Sequence, residues 1–233
     1  MVSKKPYYRH QQLLANTEGR DFFVGDLHGR FDALLLSMDD VSFNPRVDRI
    51  ISVGDLIDRG LNSYDLLKLV NQPWFFAVRG NHEAMFLDAN DGPSLLQWFA
   101  NGGNWFMDLT GEEVLESYAL ANGLPVALTV ATPDDGFIGV CHAEWPGEDW
   151  ATVEESLMHP ETVGTMLWGR TVIRENIHKW DKSATLTVHG HTPIEEVQKY
   201  GSAIYIDTGC VHGGKLTLIE LKDALSWPLT NEP

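Results

Sequence analysis

Asp26 and His28 stand two apart in VGDLHG, Asp55 opens DLIDRG 29 residues after Asp26, and Asn81 with His82 sits in GNHE. Two further histidine clusters follow, CHAE at 141–144 and HGHTP at 189–193. Carboxylate, carboxamide and imidazole groups make a mixed oxygen and nitrogen donor set, with imidazole suiting first-row transition metals and carboxylate suiting Mg or Mn. Such a set holds two divalent ions if one carboxylate bridges them. A lone Asp or His of this kind is ordinarily a cap or a packed core residue. Here they recur after one apolar run after another, and coincidence is the weaker account. The only cysteines, Cys141 and Cys210, form no CxxC pair, so a thiolate zinc site and a disulfide scaffold are both excluded.

Delivering these residues to one place requires a particular frame. DFFVGDLHGR at 21–30, RIISVGDLIDRG at 49–60 and WFFAVRGNHE at 74–83 are short runs rich in Val, Ile and Phe that end in polar clusters. Each predicts a buried strand followed by a functional loop. FDALLLSMDD (31–40) and SYDLLKLVNQ (63–72) are amphipathic stretches of the length that right-handed crossovers between parallel strands need. Together they predict a βαβαβ unit, whose ligand site lies beyond the carboxyl ends of its strands. Residues 84–123 are helical by period and form an insert, broken by the turn NGGNW at 101–105, where Gly102 and Gly103 mark a helix stop. Strands return at PVALTV, FIGVCH, ATLTVHGH, EEVQKY, SAIYID and KLTLIEL, with a helical or irregular stretch at 150–180. The expected class is α/β, a single domain over 1–233 with its core at about 20–221 and a frayed tail at 226–233.

With 233 residues, 43% of them hydrophobic and 21% charged, the chain has the composition of a globular protein, and extensive disorder is excluded. No apolar run approaches the roughly 18 residues of a membrane helix, and MVSKKPYYRH has charge without an apolar stretch behind it, so a cytoplasmic protein with no membrane partner is expected. The net charge of −16 disfavours polyanions and predicts no nucleic-acid partner, although part of the excess belongs to the candidate metal ligands.

The runs GDLHG (25–29), GDLIDRG (54–60) and GNHE (80–83) resemble the signature of the phosphoprotein phosphatases, the calcineurin-like binuclear metallophosphoesterases. Within that family the chain resembles the lambda-phage and bacterial serine/threonine phosphatases, through NGGNWF, CHAEWP, WGR, GHTP, YIDTG and LTLIE as well. Only the first 20 residues and the last dozen fall outside the resemblance. It implies a calcineurin-like fold, two β-sheets packed as a sandwich with flanking helices and the metals at the sheet edge.

It also implies that Asp26, His28 and Asp55 bind one divalent ion, and that the bridging Asp55 binds the second with Asn81, His142 and His191. The family's usual choice is Mn, with Fe or Zn compatible. Two such ions would activate a water for direct attack on phosphorus, with no covalent phosphoenzyme. His82 is then the general acid, Asp58 fixes its tautomer, and Arg59, Arg170 and Arg79 are candidate phosphate clamps. For Arg79 a clamp and a supporting role are equally matched. The implied activity is hydrolysis of phosphoserine and phosphothreonine in proteins or peptides, with phosphotyrosine and phosphohistidine as further substrates, by a monomer. Two alternatives are symmetrical dinucleoside tetraphosphate hydrolysis and a metal-bearing scaffold. Asp58 and Glu83 disfavour the first, and the complete ligand set disfavours the second.

Some neighbours of these motifs have plainer readings. His189 and His191, two apart on one strand, are expected to face the same side. GHTP selects His191 as the ligand, which leaves His189 neutral and packed. Glu144 and Trp145 either line the substrate groove or pack. Asp207 is an anchor or a turn residue, and Cys141 and Cys210 are small buried hydrophobes.

Overall fold

A computed structural model describes residues 9–230. In chain order its elements are β1 (His10–Leu13), β2 (Asp21–Val24), α1 (Phe31–Asp40), β3 (Arg49–Ser52), α2 (Ser63–Lys68), β4 (Phe75–Ala77), α3 (Asn81–Asp88), α4 (Gly92–Ala100) and α5 (Gly111–Gly123). They continue with β5 (Ala127–Ala131), β6 (Phe137–Cys141), α6 (Val153–Ser156), α7 (Pro160–Trp168), α8 (Thr171–Glu175), β7 (Leu186–His189), β8 (Gln198–Tyr200), β9 (Ala203–Tyr205), β10 (Leu218–Glu220) and α9 (Leu221–Ser226).

The three leading apolar runs form β2, β3 and β4, paired in parallel with Phe22 opposite Ile50 and Ile50 opposite Phe75. Their near-continuous hydrophobicity follows from burial on both faces. Phe22, Ile50 and Phe75 point to the helices, where they meet Leu34, Leu66 and Leu67. Phe23, Ile51, Val53 and Val78 point the other way, onto Val130, Val140, Val188 and Ile204 of a second sheet. The first sheet runs β10-β2-β3-β4 and the second β1-β5-β6-β7-β9-β8, so a sandwich lies at the centre. On the far side of the six-stranded sheet, Ala127 and Cys141 pack against Trp150, Met166 and Leu167.

The helical insert folds as three helices and a 3-10 turn at Gly103–Asp108, with Asp91 capping α4 and Thr110 capping α5 through side-chain bonds to Ser94 N and Glu113 N. GNHE is not a preface to it. Asn81, His82 and Glu83 form the first turn of α3, so the helical segment starts three residues earlier than period alone places it.

Two boundaries are corrected. The six-stranded sheet begins with β1, whose HQQL pairs in parallel with Ala127–Val130, although it lies upstream of the core expected from about residue 20. An edge strand with only Leu13 buried leaves almost no apolar pattern. The fraying predicted from residue 226 does not occur as far as Thr230. Thr230 N donates to Lys199 O at 2.8 Å, Lys199 N donates to Thr230 Oγ1 at 2.9 Å, and Trp227 Nε1 donates to Val197 O. The polar tail thus covers the open edge of β8, a role that burial patterns do not announce. Residues 231–233 lie outside the described part.

Candidate metal centre

Every candidate ligand follows the carboxyl end of a strand: Asp26 after β2, Asp55 after β3, Asn81 after β4, His142 after β6 and His191 after β7. The loops interlock. Leu27 N and His28 N both donate to Asp55 O, and Gly29 N donates to Leu56 O. Bending the chain this tightly puts His28, Asp55, Asp58, Arg59 and His191 at positive φ, between 42° and 74°, a conformation that costs energy outside glycine and clusters at functional sites. Gly80 and Gly190 are glycines because a Cβ there would stand 2.1 Å from Asp55 Oδ1 and from Asp26 Oδ1 respectively.

Asp55 is the hub. Its Oδ2 lies 3.5 Å from His28 Nε2 and 3.9 Å from His82 Nε2, and its Oδ1 lies 3.4 Å from His142 Nε2. Two donor groups result, His28 with Asp55 and His82, and Asp55 with His142 and His191, each with its ligand atoms within 4.8 Å of one another. Asn81 Oδ1 joins the second group, 2.8 Å from both His142 Nε2 and His191 Nδ1. In the first group His82 stands where the resemblance puts Asp26, whose two oxygens accept the backbone N–H of His191 at 3.2 Å.

The histidines are prepared as ligands by what holds their other nitrogens. His28 Nδ1 donates to Ile57 O and His142 Nδ1 to Val53 O, which leaves each Nε2 lone pair facing the cluster. Burial keeps the imidazoles neutral, pulling His28 and His191 down to about 3 and His142 below its usual value. The carboxylates crowd together. Burial, then Asp207 and Asp55, push Asp26 well up, and burial raises Asp207 to about 6. Burial also works to raise Asp55, but His142, His82 and His28 outweigh it and hold its carboxyl below the ordinary range. Neutral nitrogen donors around closely packed buried carboxylates are the chemistry a divalent cation fits.

The rest of the machinery surrounds this hub. Asp58, fully buried, accepts from His82 Nδ1 at 2.6 Å. Burial draws the His82 ring down, and Asp55 and Asp58 outweigh it to leave it raised. Arg59 reaches over from the exposed rim, with Nη1 2.6 Å from His28 Nε2 and Nη2 2.9 Å from His82 Nε2. Arg170 Nε donates to His191 Nε2 at 3.1 Å. Arg79 is placed differently: its Nη2 donates to the carbonyls of Asn122 and Leu124, so it braces the end of α5.

The open alternatives resolve by contact. Glu144 Oε2 accepts the N–H groups of Thr171 and Val172 at the start of α8, where it steadies Arg170, and Trp145 is buried with its Nε1 donating to Asp181. Asp207 accepts from Gly209 N beside Asp26. His189 ends β7 and is packed on Tyr205, its Nε2 bonded to Thr187 Oγ1 and its Nδ1 near Cys141 O, and burial lowers it to about 3. The expectation that His189 and His191 face one side is overturned, because the strand stops at His189 and His191 turns to φ 70°. Burial pushes both cysteine thiols up, which suits packing and not nucleophilic use.

Glu83 has a role that spacing does not reveal. Its fully buried carboxylate accepts four backbone N–H groups, from Asp55, Leu56, Ile57 and Gly80, and so fixes the hub loop. Its place as the last residue of GNHE singles it out in the sequence without saying what it holds. Trp98 and Trp105 also reach the site; Trp105 carries no sequence signal beyond its place in the NGGNWF run, and Trp98, three residues upstream of that run, carries none.

Among known proteins, serine/threonine-protein phosphatase 2 of Escherichia coli is 34% identical over 223 residues, covering 93% of this chain and 100% of its own. An asymmetrical bis(5'-nucleosyl)-tetraphosphatase of Anoxybacillus flavithermus is 25% identical, covering 84% of this chain and 88% of that protein. A crystal structure provisionally described as a diadenosine tetraphosphatase superposes over 97% of this chain and 100% of its own with a TM-score of 0.64 at 22% identity, which speaks for the fold alone. The family model for calcineurin-like phosphoesterase matches residues 22–224, from β2 to α9 and so through every strand end that carries a candidate ligand. The chain therefore belongs to the calcineurin-like phosphoesterases, a family of metal-dependent hydrolases.

Proposed function

We propose that this chain is a serine/threonine protein phosphatase that hydrolyses phosphate monoesters with two divalent ions. The observation that carries this reading is Asp55, one carboxylate shared between two histidine-bearing donor groups. Asp26, His28 and Asp55 would hold one ion, and Asp55, Asn81, His142 and His191 the other, with Mn the proposed metal and Fe or Zn compatible with the donors. When bound, the ions supply charge neutralisation and a water acidic enough to attack near neutral pH.

The chain's own groups do the rest. Arg59 and Arg170 present guanidinium groups at the two ends of the cluster, placed to hold phosphoryl oxygens and to align the ester. His82 has Nδ1 committed to Asp58 and Nε2 turned to Arg59 at the rim, an arrangement for carrying a proton to a leaving alkoxide. Alignment over the whole of a phosphatase relative and 93% of this chain, together with the presence of Asp58 and Glu83, favours phosphoproteins as substrates.

The 25% identical relative keeps a second reading in view, dinucleoside tetraphosphate hydrolysis, and its described asymmetrical cleavage differs from the symmetrical cleavage suggested by sequence. Metal-depleted protein, restored with one divalent ion at a time, is assayed on phosphoserine peptides and on diadenosine tetraphosphate. Faster turnover of the peptides supports the phosphatase reading, and turnover of the dinucleotide alone refutes it.

A further inference from the structure

The run WFANGGNWF at 98–106 looks like a helix end and a turn, yet both of its tryptophans arrive at one carboxylate. Trp98 Nε1 donates to Asp58 Oδ2 at 2.9 Å and Oδ1 at 3.1 Å, and Trp105 Nε1 donates to Oδ1 at 2.7 Å. His82 Nδ1 takes the remaining direction on Oδ2, and Asp58 N is tied to Ser63 Oγ. An indole N–H only donates, so both tryptophans meet this carboxylate as donors. The glycines between the tryptophans serve the same end. A Cβ on Gly103 would stand 2.4 Å from Trp98 Cε2, and Gly102, at φ 103°, accepts the backbone N–H of Arg59.

We propose that Trp98 and Trp105 are positioning residues for proton transfer: by clamping Asp58 they fix the His82 ring and aim its Nε2 at the leaving oxygen. This deepens the phosphatase reading and rests on it. Three N–H groups converging on a fully buried carboxylate exceed what packing alone requires, since either ring could fill its space as Phe. The aromatic contacts of Trp98 with Phe86 and Phe106 show that packing partners are present independently of the N–H groups.

Trp98→Phe and Trp105→Phe keep the aromatic packing and remove one donor each. A hydrogen bond to a charged group corresponds to roughly tenfold or somewhat more in rate, within the roughly 100-fold or greater share of a general acid. The expected result is a fall of about tenfold in kcat on a phosphoserine peptide, less than about twofold on p-nitrophenyl phosphate, whose leaving group needs no proton, and unchanged KM and metal stoichiometry. In an Asp58→Asn background the same changes should have no further effect. Equal losses on both substrates, or losses that add to that of Asp58→Asn, would overturn the proposal. Trp105 is half-buried and Trp98 fully buried, so Trp105→Phe decides the matter if Trp98→Phe does not fold. If the unmodified chain turns over neither monoester, it is the phosphatase reading that fails and this one with it, whereas an active parent with evenly impaired variants refutes this one alone.

Discussion

Replacing Glu83 by Gln changes no volume and removes one charge, yet it should be among the most damaging changes in the protein. Glu83 Oε2 accepts from Asp55 N at 3.0 Å and Gly80 N at 2.7 Å, while Oε1 accepts from Leu56 N at 2.8 Å and Ile57 N at 3.3 Å. A glutamine has one acceptor oxygen, and its NH2 group must then face two backbone donors whichever way the amide turns. The less harmful orientation gives up the Oε1 pair, one bond of which is long. Each buried unsatisfied donor costs about 1–3 kcal/mol, so a loss of roughly 2–4 kcal/mol is expected after allowing for that weak bond. Part is offset because burial, with Asp55 beside it, raises the parent carboxyl to about 7, so the charge is itself held at some cost. Urea unfolding of both proteins in chelator measures the stability change, and titration calorimetry with Mn measures whether the hub loop still presents Asp55. A loss below about 1 kcal/mol with unchanged metal affinity would refute the idea that these four bonds hold the hub, because the stranded donors must otherwise show.

Three further outcomes are expected. Asp55→Asn should lower the bound metal from two equivalents toward none, measured by elemental analysis after gel filtration, because a neutral amide bridges poorly between two cations. His191→Ala should lose one metal equivalent and most activity, whereas His189→Ala should keep both metals and change rate only modestly; the reverse pattern would place the ligand two residues upstream. Asp48 accepts from Arg20 N and Nη2 and from Asn44 N, and these bonds outweigh its burial to lower its carboxyl. A depressed folded value gives stability that is present above the unfolded pKa of about 3.9 and is lost as pH falls through the folded one. Asp48→Asn should therefore cost roughly 1–3 kcal/mol at neutral pH and progressively less below about pH 4 in acid-titrated unfolding.

What the sequence made legible follows a physical line. The parallel strands β2, β3 and β4 are buried on both faces, so they show as apolar runs, and their ligands follow at once because strand ends deliver them. The strand β1 and the tail to Thr230 are joined by backbone bonds at sheet edges, where side chains carry little pattern, and neither was legible. The pair His189 and His191 shows the limit of periodicity: alternation holds only while the backbone stays extended, and a single residue at φ 70° cancels it. Glu144 and Trp98, and Glu83 in its bonds to Asp55, Leu56 and Ile57, act by hydrogen bonds between segments distant in sequence, which no local spacing encodes. Arg79 shows the converse, a motif residue beside GNHE whose Nη2 reaches the carbonyls at the end of α5.

The same geometry explains why this site should tie metal to stability. Five non-glycine residues of the cluster hold left-handed backbone, and Asp26, Asp55, Glu83 and Asp207 bring their carboxylates together with almost no solvent. Residues held at such φ values cost on the order of 1–3 kcal/mol each, and neighbouring buried carboxylates raise one another's proton affinity, so without a cation the constellation would work against the fold that carries it. Glu83 and Glu144 counter part of this by ordering backbone N–H groups, but they add acidic charge of their own. A cation binding only the folded chain acts on both terms at once: it neutralises the carboxylates and gains from a backbone already bent to meet it. Its stabilisation grows by about 1.4 kcal/mol for each tenfold rise in free metal above Kd at a single site, so the two ions together should make the melting temperature strongly metal-dependent. That dependence should vanish first at the ion that loses its ligands, which makes thermal unfolding of the His191→Ala and His28→Ala variants across a Mn series a measure of each ion's share. If both variants kept the parent's full dependence, the strain and charge would have to be relieved within the chain, and Asp55 would not be the shared hub.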